Sequence, residues 1–260
     1  MSNDQETRAI QESLLELMKI FDGLCKAHGI KYTLHGGSLL GAVREKGFIP
    51  WDDDIDIGMT RAQYRKLKKL LPTDKTREIY LDYKRDKVQK IWRNEPGKDS
   101  VWLDIFVYDY ISEKPLSRKL KILCIKLLTP FAKSETTIET FRFNNRAKGL
   151  SKIIYELIYN MGRPFPLEKR IRFFDRFCER AFTGGKRFVH RANDQLWAMV
   201  MILPVSSLRR FKRVPFEDTT FMISKDYDKI LTQLYGEDYM TPRKTIDESN
   251  TVHSIYRDNA

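Results

Sequence analysis

Residues 34–58 read LHGGSLLGAVREKGFIPWDDDIDIG, and the fold turns on this stretch. Within it, Asp54-Ile55-Asp56-Ile57 alternates charged and aliphatic residues. In a β-strand alternate side chains share a face, so Asp54 and Asp56 point one way and Ile55 and Ile57 point into a core. Two carboxylates held close together repel unless a cation lies between them. A hard divalent ion that prefers oxygen, such as Mg²⁺, is the natural occupant. Upstream, Gly36-Gly37-Ser38 is a turn opening a short helix, Leu39–Lys46, that Gly47 stops. Glycines let backbone N–H groups approach phosphate oxygens, and the helix dipole behind them adds to the attraction. Ser38 is read as the N-cap. Asp52 and Asp53 follow the rigid Pro50-Trp51 approach and are read as capping or orienting that loop rather than holding metal.

A third carboxylate has a similar setting. Val101-Trp102-Leu103-Asp104-Ile105-Phe106-Val107 is an apolar run of the kind that forms a buried strand, with Asp104 in its middle. A charge there is costly unless it is paired or bound to metal. Asp54, Asp56 and Asp104 are therefore the candidate catalytic and metal-binding residues. Gly36, Gly37 and Ser38 are the candidate phosphate turn.

Three strand-borne aspartates with a glycine turn resemble the constellation of the nucleotidyltransferase superfamily. GGSLLGAVREKGFIPWDDDIDIGM, followed by VWLDIFVYD, closely resembles the LicD family, and the likeness extends over residues 7–110 and more weakly over 211–243. The resemblance implies a nucleotidyltransferase-type α/β (α+β) core, a mixed sheet covered by helices. It implies transfer of phosphocholine, or a related phospho-alcohol, from a CDP-linked donor such as CDP-choline to a sugar hydroxyl. The acceptor would be a cell-surface glycan precursor, of the lipopolysaccharide or teichoic acid kind, and CMP would leave. Asp54 and Asp56 would hold one or two Mg²⁺ ions, and Asp104 would hold the second or take the acceptor's proton. Two other readings use the same fold. One is a true nucleotidyltransferase that releases pyrophosphate. The other is a non-catalytic glycan- or membrane-binding protein. No nucleic acid is expected as a partner.

Further residues are candidates by type and place. Arg44, Lys90 and Arg93 are cations suited to phosphate, Arg by its planar fork. Trp51, Trp92, Trp102, Tyr32 and Tyr108 could face a quaternary ammonium group, which aromatic rings attract. Trp51 leads these because it directly precedes the aspartates. His35 and His253 are read as structural, and Cys25 as core.

The chain has 260 residues, 42% of them hydrophobic, and a formal net charge of +12. Its three cysteines, Cys25, Cys124 and Cys178, lie far apart, which argues for a reducing compartment and against structural zinc. MSNDQETR at the N-terminus is polar and unlike a secretory signal, so a cytoplasmic protein is expected. The positive charge concentrates in residues 111–190, where a basic lobe would suit an anionic partner. Within that lobe SRKLKILCIKLLT, residues 117–129, mixes cations with an apolar stripe, as a helix at a membrane surface does. Equally, Leu120, Leu123, Cys124 and Leu127 could pack on the catalytic core.

Periodicity predicts a helix from Thr7 to His28, a strand at Tyr32–His35 and a helix opened by a Thr60/Gln63 capping box. It predicts strands at 78–84, 88–93 and 101–108, helical pattern from Leu116 to Ile158, and a helix over Leu167–Phe182. A hairpin is predicted at Lys212–Phe216 and Thr219–Ile223, then a helix capped by Ser224 and ended by Gly236. The domains expected are a catalytic core at 1–110 and a basic, mostly helical lobe at 111–260, with the hairpin in the lobe.

Overall fold

Helix α1, Asn3–Ala27, carries Leu14, Leu17, Met18 and Phe21 on one face, and all four are fully buried. Each such side chain contributes roughly 1.5–3 kcal/mol when removed from water, which is what holds a helix of mixed polarity in place. The computed structural model describes residues 3–73, 76–83, 87–94, 101–134, 149–194 and 198–242. After α1 come β1 (Thr33–Leu34), α2 (Gly36–Arg44), β2 (Ile55–Thr60) and α3 (Arg61–Leu70). Then follow β3 (Ile79–Asp82), β4 (Gln89–Arg93), β5 (Trp102–Ile111), α4 (Pro115–Phe131), α5 (Leu150–Gly162) and α6 (Leu167–Arg180). The chain continues through β6 (Phe188–Arg191), β7 (Ile202–Pro204), β8 (Phe211–Phe216), β9 (Thr219–Ser224) and α7 (Tyr227–Tyr235). This is an α/β fold. Its main sheet has the order β1-β2-β5-β4-β3, with β6 added to β5 and β7 to β6.

The chain divides into two units. The first comprises Met1–Leu81, Lys90–Phe106 and Ser206–Ala260, so the hairpin β8–β9 and α7 fold with the aspartate strand. Two bonds tie β9 to the start of β1. Ser224 N–H donates to Thr33 Oγ1 at 2.9 Å, and Met222 N–H to the Tyr32 hydroxyl at 3.3 Å. Ser224 does not cap α7. Its hydroxyl accepts from Asp226 N–H and donates to Ser207 O, and Asp226 is the N-cap. Thr60 does cap α3, accepting from Gln63 N–H at 3.5 Å. The reciprocal arm of that box is absent, because Gln63 Oε1 accepts from Lys31 N–H instead.

The second unit comprises Asp82–Gln89 and Val107–Val205. The end of β5 pairs antiparallel with β6, Tyr108 opposite Arg191. Its core joins Ile125, Ile171, Phe174, Cys178, Ala192 and Met199. Helix α4 is inverted in polarity. Lys121 is completely buried and donates to Tyr110 O at 2.6 Å and Cys178 O at 2.8 Å. Leu120, Leu123 and Leu127 on the same helix are exposed, so the expectation that they pack on the catalytic core does not hold. His190 is buried beside Met199 O, and burial, with the Lys121 charge, pushes its imidazole down to about 3.

The strongest polar node of the first unit is Asp22. It accepts from the Tyr32 hydroxyl at 2.6 Å and from both terminal nitrogens of Arg213, at 3.0 and 2.9 Å, and pairs with Lys26. Burial alone would raise its pKa, but the bonds from Arg213, Tyr32 and Lys26 outweigh it and hold the carboxyl below its usual value. Asp22→Ala strands the Arg213 guanidinium and should cost about 3 kcal/mol in urea denaturation, the low end for breaking a buried pair. Because the folded pKa is depressed, the contribution is full above the unfolded pKa and is lost as pH falls through the folded one. The difference between wild type and variant should therefore narrow in acid.

Candidate active site

Helix α2 begins at Gly36, with His35 as an extended N-cap that makes no side-chain capping bond. The expected cap, Ser38, lies two residues further inside the helix. Its buried hydroxyl accepts from Asp56 N–H at 2.9 Å, and His35 N–H donates to Asp56 O at 2.9 Å. Turn and aspartate strand are thus joined at Asp56 by two hydrogen bonds. Gly36 has φ +55°, a conformation that glycine adopts without strain. The two glycines also make room for carboxylates. A Cβ at Gly36 would fall on Asp56 Oδ2, and one at Gly37 would lie 2.6 Å from Asp52 Oδ2. Both acids close on the N-terminus of α2, where the helix dipole favours negative charge.

Asp52 is a site residue that the sequence reading set aside. It is half-buried, and its carboxyl is hydrogen-bonded to that of Asp54. Its Oδ2 has no hydrogen-bond partner among the described residues. Burial first, then the charges of Asp54 and Asp53, push Asp52 well above the carboxylate range. Burial, then the charges of Asp104 and Asp53, push Asp54 up to about 7, against smaller lowering by Asp52 and Lys90. The segment bearing them is held by Gln11 of α1. Gln11 Nε2 donates to Asp52 O at 2.9 Å and to Ile49 O at 3.2 Å. Glu217, at the tip of the β8–β9 hairpin, accepts from Phe48 N–H at 3.1 Å and pairs with Arg8 at 3.0 Å. No motif marks Gln11 or Glu217. A buried glutamine on an otherwise apolar helix face was the one available sign.

Asp104 and Lys90 stand on neighbouring strands β5 and β4, and their ion pair is 2.7 Å long. The pairing that a buried aspartate requires is therefore supplied by Lys90 here. The Lys90 ammonium also lies 4.4 Å from the centroid of the Trp102 ring, and Trp102 packs on Trp92 at 4.9 Å. The Trp92 indole N–H is buried and has no acceptor among the described residues. Other candidates lie apart from this group. Arg44 ends α2, about 12 Å along the helix from Gly36 by the rise of 1.5 Å per residue. It pairs with Glu45 at 2.6 Å. Arg93 pairs with Glu78 at 3.6 Å. Trp51 is exposed, whereas Tyr32 and Tyr108 are buried core and face no ligand. His35 is fully buried with its ring against Phe106, and Cys25 is core, both as expected. His253 lies outside the described residues.

Among the described residues no three His, Cys, Asp or Glu side chains form a cluster that would bind a metal ion by itself. What the site does bring together is a hydrogen-bonded carboxyl pair, a third carboxylate countered by a lysine, an aromatic pair, and a glycine turn.

Residues 29–123 match the family model described as LicD/FKTN/FKRP, nucleotidyltransferase domain. That stretch holds the glycine turn, the aspartate strand and Asp104. The chain is 28% identical to the lipopolysaccharide cholinephosphotransferase LicD of Haemophilus influenzae over 93% of this chain and 94% of that protein. An uncharacterized Rickettsia typhi protein is 35% identical over 39% of this chain and 30% of its own length. Human ribitol 5-phosphate transferase FKRP is 47% identical, over 18% of this chain and 10% of its own length.

The Asp54 carboxyl has a folded pKa above its unfolded value of 3.8, so the native state binds more protons than the unfolded chain between the two. Stability contributed by this group falls as pH rises from 4 through 7. Without divalent cations, Asp54→Asn should raise the melting temperature at pH 8 by about 2–4 °C, the shift given by about 1 kcal/mol in a chain of this size. At pH 4 the difference should be close to zero. A thermal scan in chelator at both values measures this.

Proposed function

We propose that this chain is an enzyme that transfers phosphocholine, or a related phospho-alcohol, from a CDP-linked donor to a sugar hydroxyl of a cell-surface glycan precursor. The acceptor oxygen forms a bond to the phosphorus bearing the choline, the bond from that phosphorus to CMP breaks, and the hydroxyl proton leaves. The observation that carries this reading is the hydrogen-bonded carboxyl pair Asp52–Asp54 beside the Gly36-Gly37-Ser38 turn, with the Asp104–Lys90 pair next to it. Likeness to a cholinephosphotransferase along nearly the whole chain supports the class of reaction.

The residues fit a magnesium ion. Asp52 Oδ2 lacks a hydrogen-bond partner among the described residues, and the raised pKa values of Asp52 and Asp54 mark negative charge that a hard cation would offset. Asp52 and Asp54 would hold it. Mg²⁺ commonly takes only one or two carboxylates and completes its sphere with water and substrate phosphates, which agrees with a site lacking a full protein cage. When bound, the ion neutralises charge on the donor phosphates. The chain's own groups do the rest. Asp104 takes the acceptor's proton, and Lys90, released from Asp104 as that charge is lost, is free to turn to a phosphate oxygen. The Trp92–Trp102 pair, whose Trp102 face already carries a cation, supports choline as the substituent. A nucleotide-activated donor of this kind supports a reaction on the cytoplasmic side.

Purified protein with Mg²⁺, an acceptor glycan and CDP-choline, CDP-ribitol or CDP-glycerol in turn should release free CMP. Pyrophosphate released from CTP, with no CMP from any CDP-alcohol, would assign nucleotidyl transfer instead. Asp54→Asn and Asp104→Asn should each lower CMP release by about 100-fold or more, the scale of losing a group that acts on the reacting atoms. Gly37→Ala should lower it too, by displacing Asp52, while Gly23→Ala, whose Cβ meets nothing within 4 Å, should leave it unchanged.

A further inference from the structure

Helix α4 presents its leucines to solvent. Leu116, Leu120, Leu123 and Leu127 recur at intervals of four, three and four residues, which aligns them in one stripe. Leu120, Leu123 and Leu127 are 45%, 53% and 41% exposed. Helix α5 packs beside α4 and adds a second stripe, Ile153, Leu157 and Met161, each more than half exposed. At one end Phe131 touches Phe165 and Phe173, whose rings are themselves more than half exposed. A monomer rarely exposes so continuous an apolar surface unless something docks on it.

Charge selects the occupant. Helix α4 holds Arg118, Lys119, Lys121 and Lys126 and no acidic residue. Lys119 and Lys126 are exposed and lie along one flank of the leucine stripe, where their stems can follow the apolar surface and their ammonium groups reach outward. α5 adds exposed Lys152 on its first turn, and its one acid, Glu156, is partly buried. An apolar face with a cationic edge matches a helix lying in the interfacial plane of a bilayer. Among the described residues no helix is long and apolar enough to cross one. We infer that the α4–α5 face of the second unit docks this protein on the surface of an anionic membrane, the leucine stripe entering the headgroup boundary and Lys119 and Lys126 meeting lipid phosphates.

The test is flotation of the full chain with phosphatidylcholine vesicles, with and without phosphatidylglycerol, at low and high salt. Binding needs no turnover, so its outcome is independent of the transferase reading. Binding to anionic vesicles at low salt is expected, with weaker binding at high salt. Lys119→Gln with Lys126→Gln should weaken it about 30-fold, the equivalent of about 1 kcal/mol per cation near the surface. The triple variant Leu120→Ser, Leu123→Ser, Leu127→Ser should abolish it with an unchanged circular dichroism spectrum, because these side chains are solvent-exposed. No binding at low salt overturns the inference. Equal binding to neutral vesicles, or binding that survives the leucine variant, overturns it as well. So does light scattering that finds a dimer which the leucine variant separates and which does not bind lipid, because the face is then a contact between copies of this chain.

Discussion

Two carboxyl groups held side by side, Asp52 and Asp54, set the conditions that the rest of the first unit meets. Neither can be ionised freely in that position, because each is desolvated and each feels its neighbour's charge. The surroundings answer in layers. Gly36 and Gly37 remove the side chains that would collide with the acids. Ser38 and His35 hold Asp56 by its backbone. Gln11 fixes the carbonyls of the approach, and the Glu217 tip of a hairpin from the far end of the sequence clamps Phe48. Carboxyls so close together repel, and the site persists because the backbone around it is over-determined.

Much of this was legible beforehand, for identifiable reasons. The alternation at Asp54–Ile57 and the apolar frame of Asp104 follow from strand periodicity; β5 carries Asp104 as expected, whereas β2 begins at Ile55 and Asp54 lies one residue before it. The helix after the glycine turn was read three residues late. Ser38 looks like an N-cap, but its hydroxyl is engaged with another strand, and cap preference is a local rule that a tertiary bond overrides. Asp52 was set aside because strand parity is undefined in a Pro-Trp approach. Its importance comes from a turn that folds it back over Gly37, which no spacing rule encodes. Lys90 was found as an inward cation, but its partner across the sheet depends on the neighbouring of β4 and β5.

The second unit was harder to read, and its physics explains why. Strands β6 and β7 are short, β7 ends in proline, and β6 buries His190 and Arg191, so neither has an apolar pattern. Arg191 is paired with Asp194 at 2.7 Å, and His190 is kept neutral by burial. Other polar groups of this interior find partners far along the chain, Lys121 on Cys178 O and Val107 N–H on Asn193 Oδ1, and a single chain read alone does not display them.

The inverted helix α4 has a consequence for handling the protein. A chain that keeps lysine inside and leucine outside cannot hide its stickiest surface by folding correctly. Its colloidal behaviour is then decided by the native state rather than by misfolded species. Concentration, not denaturation, becomes the condition under which it clumps. Mild amphiphiles should keep it dispersed where stabilising osmolytes would drive it together, since excluded solutes strengthen apolar association without covering the face.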